Sequence, residues 1–208
     1  MLHFLNSGGP FMWVIMSVSI FAIAIMIEKI YFLFFYYKPS DTFFNDVIKH
    51  IRKDDLPAAK LLCSGTSHPL AKVISVILNN YNTSKEAMES EINKEIQKLI
   101  PKVQKHTSYL QMIGNVSTLL GLVGTIQGLI LSFSSISAKG AANKSEALAS
   151  GISTAMNTTA LGLIIAIPCI IAFTIFVNNE TSIMQRYNEI ITEIVHIFEF
   201  ESHSKKDN

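Results

Sequence analysis

The sequence predicts an all-α membrane protein with three transmembrane helices, two of which extend into a cytoplasmic helical bundle. Hydrophobic residues make up 49% of the 208 positions and charged residues only 16%, against about 25% charged residues in ordinary soluble domains. Three stretches are long and apolar enough to cross a bilayer, and two of them adjoin segments with the period of an amphipathic helix. These observations argue against a purely soluble protein.

The basic residues are unevenly distributed, and their distribution predicts the orientation. Of 17 Lys and Arg residues, 11 lie between Lys38 and Lys105, and none lies in the first 28 positions. By the positive-inside rule, segment 38–106 is cytoplasmic and the N-terminus faces outward. Three crossings then leave the C-terminus in the cytoplasm.

The first span follows the turn-forming residues Gly9 and Pro10 and covers residues 11–34. No Lys or Arg precedes Lys29, and no small-residue cleavage site follows the apolar run, so the segment lacks the features of a signal peptide. We therefore expect a retained transmembrane helix, with residues 1–10 as a short segment on the outer side.

Residues 38–106 predict a cytoplasmic helical domain. Short amphipathic helices come first, broken at Pro57 and at the turn cluster 64–69. A longer helix over 84–106 is expected to run straight into the second span, and Pro101 lies inside it, where its ring can kink the helix. One apolar face of this helix carries Met88, Ile92, Ile96, Leu99 and Val103.

The second span, 112–136, carries a row of small and hydroxyl residues. In a helix these residues fall on one face at spacings of three and four, while Leu, Val and Ile cover the other face. In a bilayer such a face is where another helix packs closely. The row consists of Gly114, Ser117, Gly121, Gly124, Thr125, Gly128, Ser132 and Ser135.

A polar loop over 137–149 is expected to reverse the chain on the outer side. The third span, 150–177, has its own row of small and hydroxyl residues, which includes Thr159 and Gly162. Residues 178–208 predict a cytoplasmic C-terminal helix and tail, because apolar residues recur there at helical spacing. These apolar residues are Ile183, Tyr187, Ile190, Ile194 and Phe198.

The second and third spans contain no ionisable Asp, Glu, Lys, Arg or His from Met112 to Ile136 or over 150–177. Proton pathways through membranes normally use such groups, so if ions cross here the titrating group belongs to another subunit. The hydroxyls of Thr125 and Thr159 can hydrogen-bond a carboxyl group or a file of water. The alternative is that these hydroxyls bond carbonyls of their own helix or join two helices.

No enzymatic, cofactor or metal site is expected. The glycine cluster around Gly121 lacks the lysine of a phosphate loop, and the six His residues show no metal-ligand spacing. Cys63 and Cys169 lie in the predicted cytoplasmic segment and inside a span, so they are expected to be buried or free thiols. Nucleic acid is not an expected partner.

Three motifs occur in a fixed order along nearly the whole chain. GGPFMW at 8–13 is followed by IEK at 27–29, LLGLVGTIQGLI spans 119–130, and GISTAMNTTALGLIIAIP spans 151–168. The chain thereby resembles the ExbB, TolQ and MotA proton-channel family, most closely its ExbB branch. In that family, a first helix with a cytoplasmic exit precedes an LLGLLGTV pattern and a second signature with Thr before a small residue and Gly-Leu.

The resemblance implies a ring of identical chains in the bacterial inner membrane, a pentamer in this family, around a dimer of an ExbD-like single-span partner. Each partner helix carries a pore aspartate and the ring supplies threonines, which correspond here to Thr125 and Thr159. The implied function is a motor driven by proton-motive force that acts on the outer membrane through a TonB-like protein. Gly121, Gly124 and Gly128 then let ring neighbours approach.

Gly162 is likewise assigned to helix packing, and membrane lipid surrounds the assembly. Two positions depart from the family pattern. Thr118 stands where the family usually has Pro, and Thr154 stands where ExbB proteins often carry Glu. A TolQ-like or gliding-type motor, driven by H⁺ or Na⁺, remains open, as does a membrane scaffold that anchors a complex without conducting.

Overall fold

The computed structural model describes residues 9–81, 83–138 and 144–204, and within these ranges the chain is helical with no strand. Parts of four predicted segments lie outside the described residues, namely 1–8 of the outer segment, 82 of the cytoplasmic domain, 139–143 of the loop and 205–208 of the tail. The helices are α1 (Pro10–Tyr31), a π-helical turn (Phe32–Tyr36), α2 (Asp41–Arg52), α3 (Leu56–Ser64), α4 (Pro69–Asn80), α5 (Lys85–Val103), α6 (Thr107–Ala138) and α7 (Lys144–Ser204).

Three helical stretches are long and apolar enough to cross a membrane, as predicted from the sequence. They are α1, the stretch Lys85–Ser134 and the stretch Lys144–Phe198, judged by length and composition. The all-α membrane fold with three spanning helices is therefore confirmed. The chain divides into two compact units, which we call the membrane unit (Met1–Lys29 and His106–Phe176) and the bundle unit (Ile30–Lys105 and Val177–Asn208).

Within the membrane unit, α1 packs against both other spans. Ala22 of α1, Ile113 of α6 and Cys169 of α7 are buried together in one apolar cluster. The Ser19 hydroxyl on the buried face of α1 donates to the Met16 carbonyl at 2.7 Å, which satisfies it inside its own helix. This cluster therefore joins all three spans of the membrane unit.

The helices α6 and α7 of the membrane unit form an antiparallel pair. At successive contacts between the two helices, the residue numbers rise in α6 and fall in α7, so the helices run in opposite directions. Close approaches occur between Gly114 and Ala166, between Gly121 and Thr159, and between Gly128 and Ala155.

The predicted straight run from segment 84–106 into the second span is wrong. The helix α5 ends at Val103, and α6 begins at Thr107. His106, between them, has a φ of 66° in the left-handed region, which no residue of a right-handed helix adopts. Pro101, in the last turn of α5, has no backbone N–H to donate to the preceding turn, so it weakens the helix close to the point where it ends.

The connection between α6 and α7 is shorter than the predicted loop over 137–149. The helix α6 extends to Ala138, and α7 already begins at Lys144. Glu146 lies in the first turn of α7, where a carboxylate stabilises the positive end of the helix dipole. The Ala and Leu residues that follow favour helix as well, so this half of the predicted loop is helical.

The helix α7 is a single element of 61 residues that contains both the third span and the predicted C-terminal helix. The third span thus continues into the C-terminal helix without a break, and the two compact units divide between Phe176 and Val177, one residue before the boundary predicted at 177–178. Pro168 lies inside the helix, and the segment 169–204 contains neither Gly nor Pro, so no residue with a strong tendency to end a helix follows it.

The bundle unit buries one face of each of its helices in a shared core. The predicted amphipathic helices are confirmed, since the apolar faces of α5 and of the C-terminal part of α7 both lie in this core. The core includes Phe44, Val47 and Ile51 of α2, Ile74 and Ile77 of α4, Met88, Ile92 and Leu99 of α5, and Tyr187, Ile190 and Ile194 of α7. Side-chain caps on Asp55, His68 and Ser84 begin α3, α4 and α5.

Two buried tyrosines hold the chain just after the π-helical turn that follows α1. The Tyr187 hydroxyl donates to the Tyr37 carbonyl at 2.6 Å, and the Tyr37 hydroxyl donates to the Lys102 carbonyl at 3.2 Å. Burial raises the pKa of both phenols, chiefly by desolvation. Both groups therefore remain neutral donors, and they tie α7 and α5 to the start of the bundle unit.

Candidate ion-pathway site

The hydroxyl of Thr159 connects the two helices of the antiparallel pair. Its Oγ1 donates to the carbonyl oxygen of Gly121 at 3.0 Å, from α7 to α6. A Cβ atom at position 121 would lie 3.2 Å from the Thr159 Cα, so glycine permits this approach. The Thr159 side chain is partly buried.

The hydroxyl of Thr125 bonds within its own helix. Its Oγ1 donates to the Leu122 carbonyl at 2.6 Å, and the side chain is also partly buried. No hydrogen bond joins Thr125 to Thr159 among the described side chains, so the two predicted pore residues do not form a pair. They lie on the two helices of the same antiparallel hairpin.

The other hydroxyls of α6 and α7 mostly follow the alternative prediction, that they bond carbonyls of their own helix. The two threonines that depart from the family pattern do so, since Thr118 donates to the Gly114 carbonyl at 3.1 Å and Thr154 to the Ser150 carbonyl at 3.0 Å. Thr174, farther along α7, donates to the Ile170 carbonyl at 3.0 Å. Thr159 differs from them because its acceptor lies on another helix.

Ser117 is a buried hydroxyl that sequence reasoning did not single out. It is fully buried in the helix pair, and its Oγ has no hydrogen-bond partner among the described residues. A Cβ atom at Gly162 would lie 2.6 Å from the Ser117 carbonyl oxygen, so the backbones approach closely at this point. Its place in the small-residue row of α6 was the signal available in the sequence.

The predicted packing glycines lie in the α6–α7 contact of a single chain. A Cβ atom at Gly124 would lie 2.8 Å from the Thr158 Cβ, and one at Gly128 would lie 2.8 Å from the Ala155 Cβ. Real Cβ atoms do not approach other atoms so closely. The glycine face of α6, which the resemblance assigned to ring neighbours, is therefore covered by α7 of the same chain.

An ionisable pair lies at one edge of the membrane unit. The His106 Nδ1 is 3.1 Å and 3.0 Å from the two carboxylate oxygens of Glu28, and both side chains are partly exposed. Glu28 ends the apolar run of α1 and His106 immediately precedes α6. Sequence reasoning missed this pair because the two residues are far apart in the chain.

The fold and the site together define a class. The chain is a helical multi-pass membrane protein in which two antiparallel helices, free of charged residues in their spanning parts, carry hydroxyl side chains at a closely packed contact. A family model described as the MotA/TolQ/ExbB proton channel family matches residues 54–189. The chain belongs to this family, as its resemblance predicted.

Several relatives are similar to the chain. It is 31% identical over 172 residues to the ExbB-like 3 putative biopolymer transport protein of Synechocystis sp.. The aligned residues cover 82% of this chain and 81% of the relative. It is 33% identical over 101 residues to the biopolymer transport protein exbB1 of Vibrio cholerae, covering 49% and 44% of the two chains. It is 30% identical over 119 residues to the Tol-Pal system protein TolQ of Haemophilus influenzae, covering 57% and 50%.

Proposed function

We propose that the chain is an ExbB-like subunit of an inner-membrane motor that is driven by proton-motive force. With an ExbD-like single-span partner it would energise TonB-dependent transport across the outer membrane. The N-terminus would be periplasmic and the C-terminus cytoplasmic, because most basic residues lie in segment 38–106. The chain would form a ring, a pentamer in this family, around the partner.

The observation that carries this proposal is the lack of ionisable side chains in the spanning parts of α6 and α7. No Asp, Glu, Lys, Arg or His occurs from Met112 to Ile136 or over 150–177. Proton movement across a membrane requires a group that binds and releases protons. The partner's pore aspartate supplies that group, and this chain supplies the wall along which it moves.

The hydroxyl geometry favours one protonation state of the aspartate. Thr159 and Thr125 both donate their protons to backbone carbonyls, so each has only acceptor lone pairs to offer a passing group. A protonated carboxyl group can donate to such an acceptor, whereas an ionised carboxylate can only accept. The wall therefore stabilises the neutral aspartate that forms when a proton enters.

Proton entry would thus neutralise the partner's aspartate and let it move past the threonines. Release of the proton on the other side restores its charge and prevents return. The membrane potential supplies about 2.3 kcal/mol per charge per 100 mV, so a few protons per step give useful work. The TonB-like protein would transmit this work to the outer membrane.

The test compares two threonine variants of α7 in the assembled complex. Thr159→Val removes the hydroxyl that joins the helices, and Thr174→Val removes an exposed hydroxyl that bonds only its own helix. We expect Thr159→Val to lower energised uptake strongly and Thr174→Val to leave it unchanged. Equal uptake by both variants, in complexes of normal assembly, would mean that Thr159 has no role in the pathway.

Proton flux in liposomes separates the motor from a membrane scaffold. Flux that requires both this chain and the partner supports the motor, whereas an assembled complex without flux identifies a scaffold. The similarity to TolQ favours one further candidate, a TolQ-like motor subunit. Rescue of a TolQ-deficient strain, without rescue of an ExbB-deficient strain, would identify that candidate, and substitution of Na⁺ for H⁺ in the flux assay identifies the ion.

A further inference from the structure

A pocket in the bundle unit lies where α1 and the apolar part of α7 end. Its volume is about 260 Å³, and both polar and apolar side chains line it. Pockets that enclose a whole drug-sized ligand are about 300–1,000 Å³, so this one fits a smaller chemical group. Its lining includes Leu33, Lys38, Asp41, Ser182, Ile183 and Arg186.

One positive charge of the pocket has no ion-pair partner among the described residues. Lys38 and Arg186 are the positive residues of the lining, and Asp41 is the negative one. Arg186 lies 3.0 Å from Asp41 and 2.9 Å from Glu189, which is outside the lining. The Lys38 side chain is exposed and makes no ion pair within the described part of the chain. Two carboxylates thus offset the charge of Arg186, and Lys38 is the group of the pocket that can pair with one negative charge of a ligand.

Two features of the chain place this pocket at the depth of lipid headgroups. Leu33 lies two residues beyond the end of the first spanning helix at Tyr31, and Ser182 lies five residues beyond the apolar run that ends at Val177. Tyr31 and Phe35, in the segment that leads to the pocket, are 62% and 78% exposed. Tyr and Trp side chains are enriched at the membrane–water interface, so Tyr31 supports this depth.

We propose that this pocket binds the phosphate group of an anionic phospholipid. Lys38 holds the phosphate, because an ammonium group forms charge-assisted hydrogen bonds with phosphate oxygens. Arg186 already bonds Asp41 and Glu189 and adds only its remaining N–H donors. Leu33 and Ile183 contact the adjoining glycerol and acyl carbons, and the acyl chains remain in the bilayer. Free phosphate carries the same chemistry without the apolar part, and the experiment below distinguishes the two sources.

This site does not depend on the motor function, so the test uses the purified full-length chain without a partner. The protein is kept in a neutral detergent, and its melting temperature is followed by circular dichroism as phosphatidylglycerol is added. A ligand that binds only the folded state raises the melting temperature with concentration. We expect phosphatidylglycerol to raise it more than zwitterionic phosphatidylcholine does, and inorganic phosphate at the same concentration to have little effect.

Three variants test the assignment of the residues. Lys38→Gln removes the unpaired positive charge and should weaken the apparent affinity for phosphatidylglycerol about fivefold. Asp41→Asn removes the negative charge of the lining and should strengthen it by a similar factor. Lys60→Gln removes an exposed lysine of α3 that does not line the pocket, so it should leave the affinity unchanged.

Three results would overturn the proposal. An unchanged response of Lys38→Gln would show that the lipid does not bind at this pocket. An equal response to phosphatidylcholine would remove the requirement for an anionic lipid. Equal stabilisation by inorganic phosphate, lost in Lys38→Gln, would identify a site for free phosphate instead of lipid.

Discussion

The Thr159 hydroxyl donates a hydrogen bond to the Gly121 carbonyl, 38 residues earlier in the chain, at 3.0 Å. The carbonyl of a residue inside α6 also accepts the backbone bond of its own helix, so it receives two donors. Glycine at position 121 removes the side chain that would otherwise separate the helices. The residue that the resemblance assigns to the pore is thus also part of the contact between two spans.

This double role predicts different effects of two substitutions on stability. Thr159→Ser keeps a donor for the Gly121 carbonyl, whereas Thr159→Val keeps the shape and removes the donor. We expect Thr159→Val to lower the free energy of unfolding by about 0.6 kcal/mol, the average for hydrogen bonds between membrane helices, because the carbonyl keeps its helical partner. Unfolding in mixed micelles measures the difference, with Thr174→Val as the control that should cost less. A larger loss of unfolding free energy in Thr174→Val than in Thr159→Val would contradict a hydrogen bond between the helices at Thr159.

The glycines of the α6–α7 contact predict a larger penalty. In Gly128→Ala the new methyl group would lie 2.8 Å from the Ala155 Cβ, and in Gly124→Ala it would meet the Thr158 side chain. Overpacking of this kind costs about 1–3 kcal/mol. Gly65→Ala is the matched control, because the nearest atom to its Cβ lies at an ordinary 3.5 Å. The same mixed-micelle measurement tests all three variants, and unchanged stability of Gly128→Ala would mean that the helices lie farther apart.

The sequence predicts the small-residue face of α6 because helical spacing is a local property. Which helix covers that face depends on the register between α6 and α7, for example at Gly121 and Thr159, and spacing along one helix contains no information about it. The pore roles of Thr125 and Thr159 came from the family resemblance. The spacing of the residues alone is also compatible with hydroxyls that bond carbonyls of their own helix. The structure now distinguishes them, because the Thr125 hydroxyl bonds a carbonyl of its own helix whereas the Thr159 hydroxyl bonds a carbonyl of the other helix of the pair.

Other features depend on contacts that no local pattern encodes. The Tyr187 hydroxyl and the Tyr37 carbonyl are 150 residues apart, and either tyrosine alone is compatible with an exposed position. The left-handed conformation of His106 is uncommon for a residue other than glycine, so no pattern around it predicts the end of α5. The amphipathic faces of α5 and α7, by contrast, extend over many turns and were predicted from their period.

The buried hydroxyl of Tyr187 predicts a specific loss of stability. Tyr187→Phe keeps the ring, which is 1% exposed, and removes the hydrogen bond to the Tyr37 carbonyl. We expect the free energy of unfolding to fall by about 1 kcal/mol, the usual net value of such a bond. Tyr81→Phe is the control, because this tyrosine is 40% exposed, and it should change stability by less than about 0.5 kcal/mol. Denaturant unfolding of the detergent-solubilised protein measures both, and equal effects would contradict a role for the Tyr187 hydroxyl.

The partly buried imidazole of His68 predicts that stability depends on pH in a defined direction. Its Nδ1 accepts the Leu70 N–H at 3.2 Å, and its ring packs against Phe44 and Tyr187. Desolvation lowers the pKa of His68 below its usual 6.5, although backbone groups of Lys38 and Tyr37 partly oppose this shift. The unfolded chain then binds a proton at a higher pH than the folded chain does. Stability from this group is therefore complete above about pH 6.5 and is lost as the pH falls towards the lowered folded-state pKa.

Replacement of His68 by asparagine tests this prediction. His68→Asn keeps a side chain that can cap α4 and removes the titrating ring. Between about pH 7.5 and pH 5.5, the melting temperature of the wild type should fall more than that of His68→Asn, because only the wild type loses the contribution of the neutral imidazole. His196→Gln, which removes an exposed histidine of α7, should keep the dependence of the wild type. Parallel curves for the wild type and His68→Asn would show that another group controls the loss of stability at low pH.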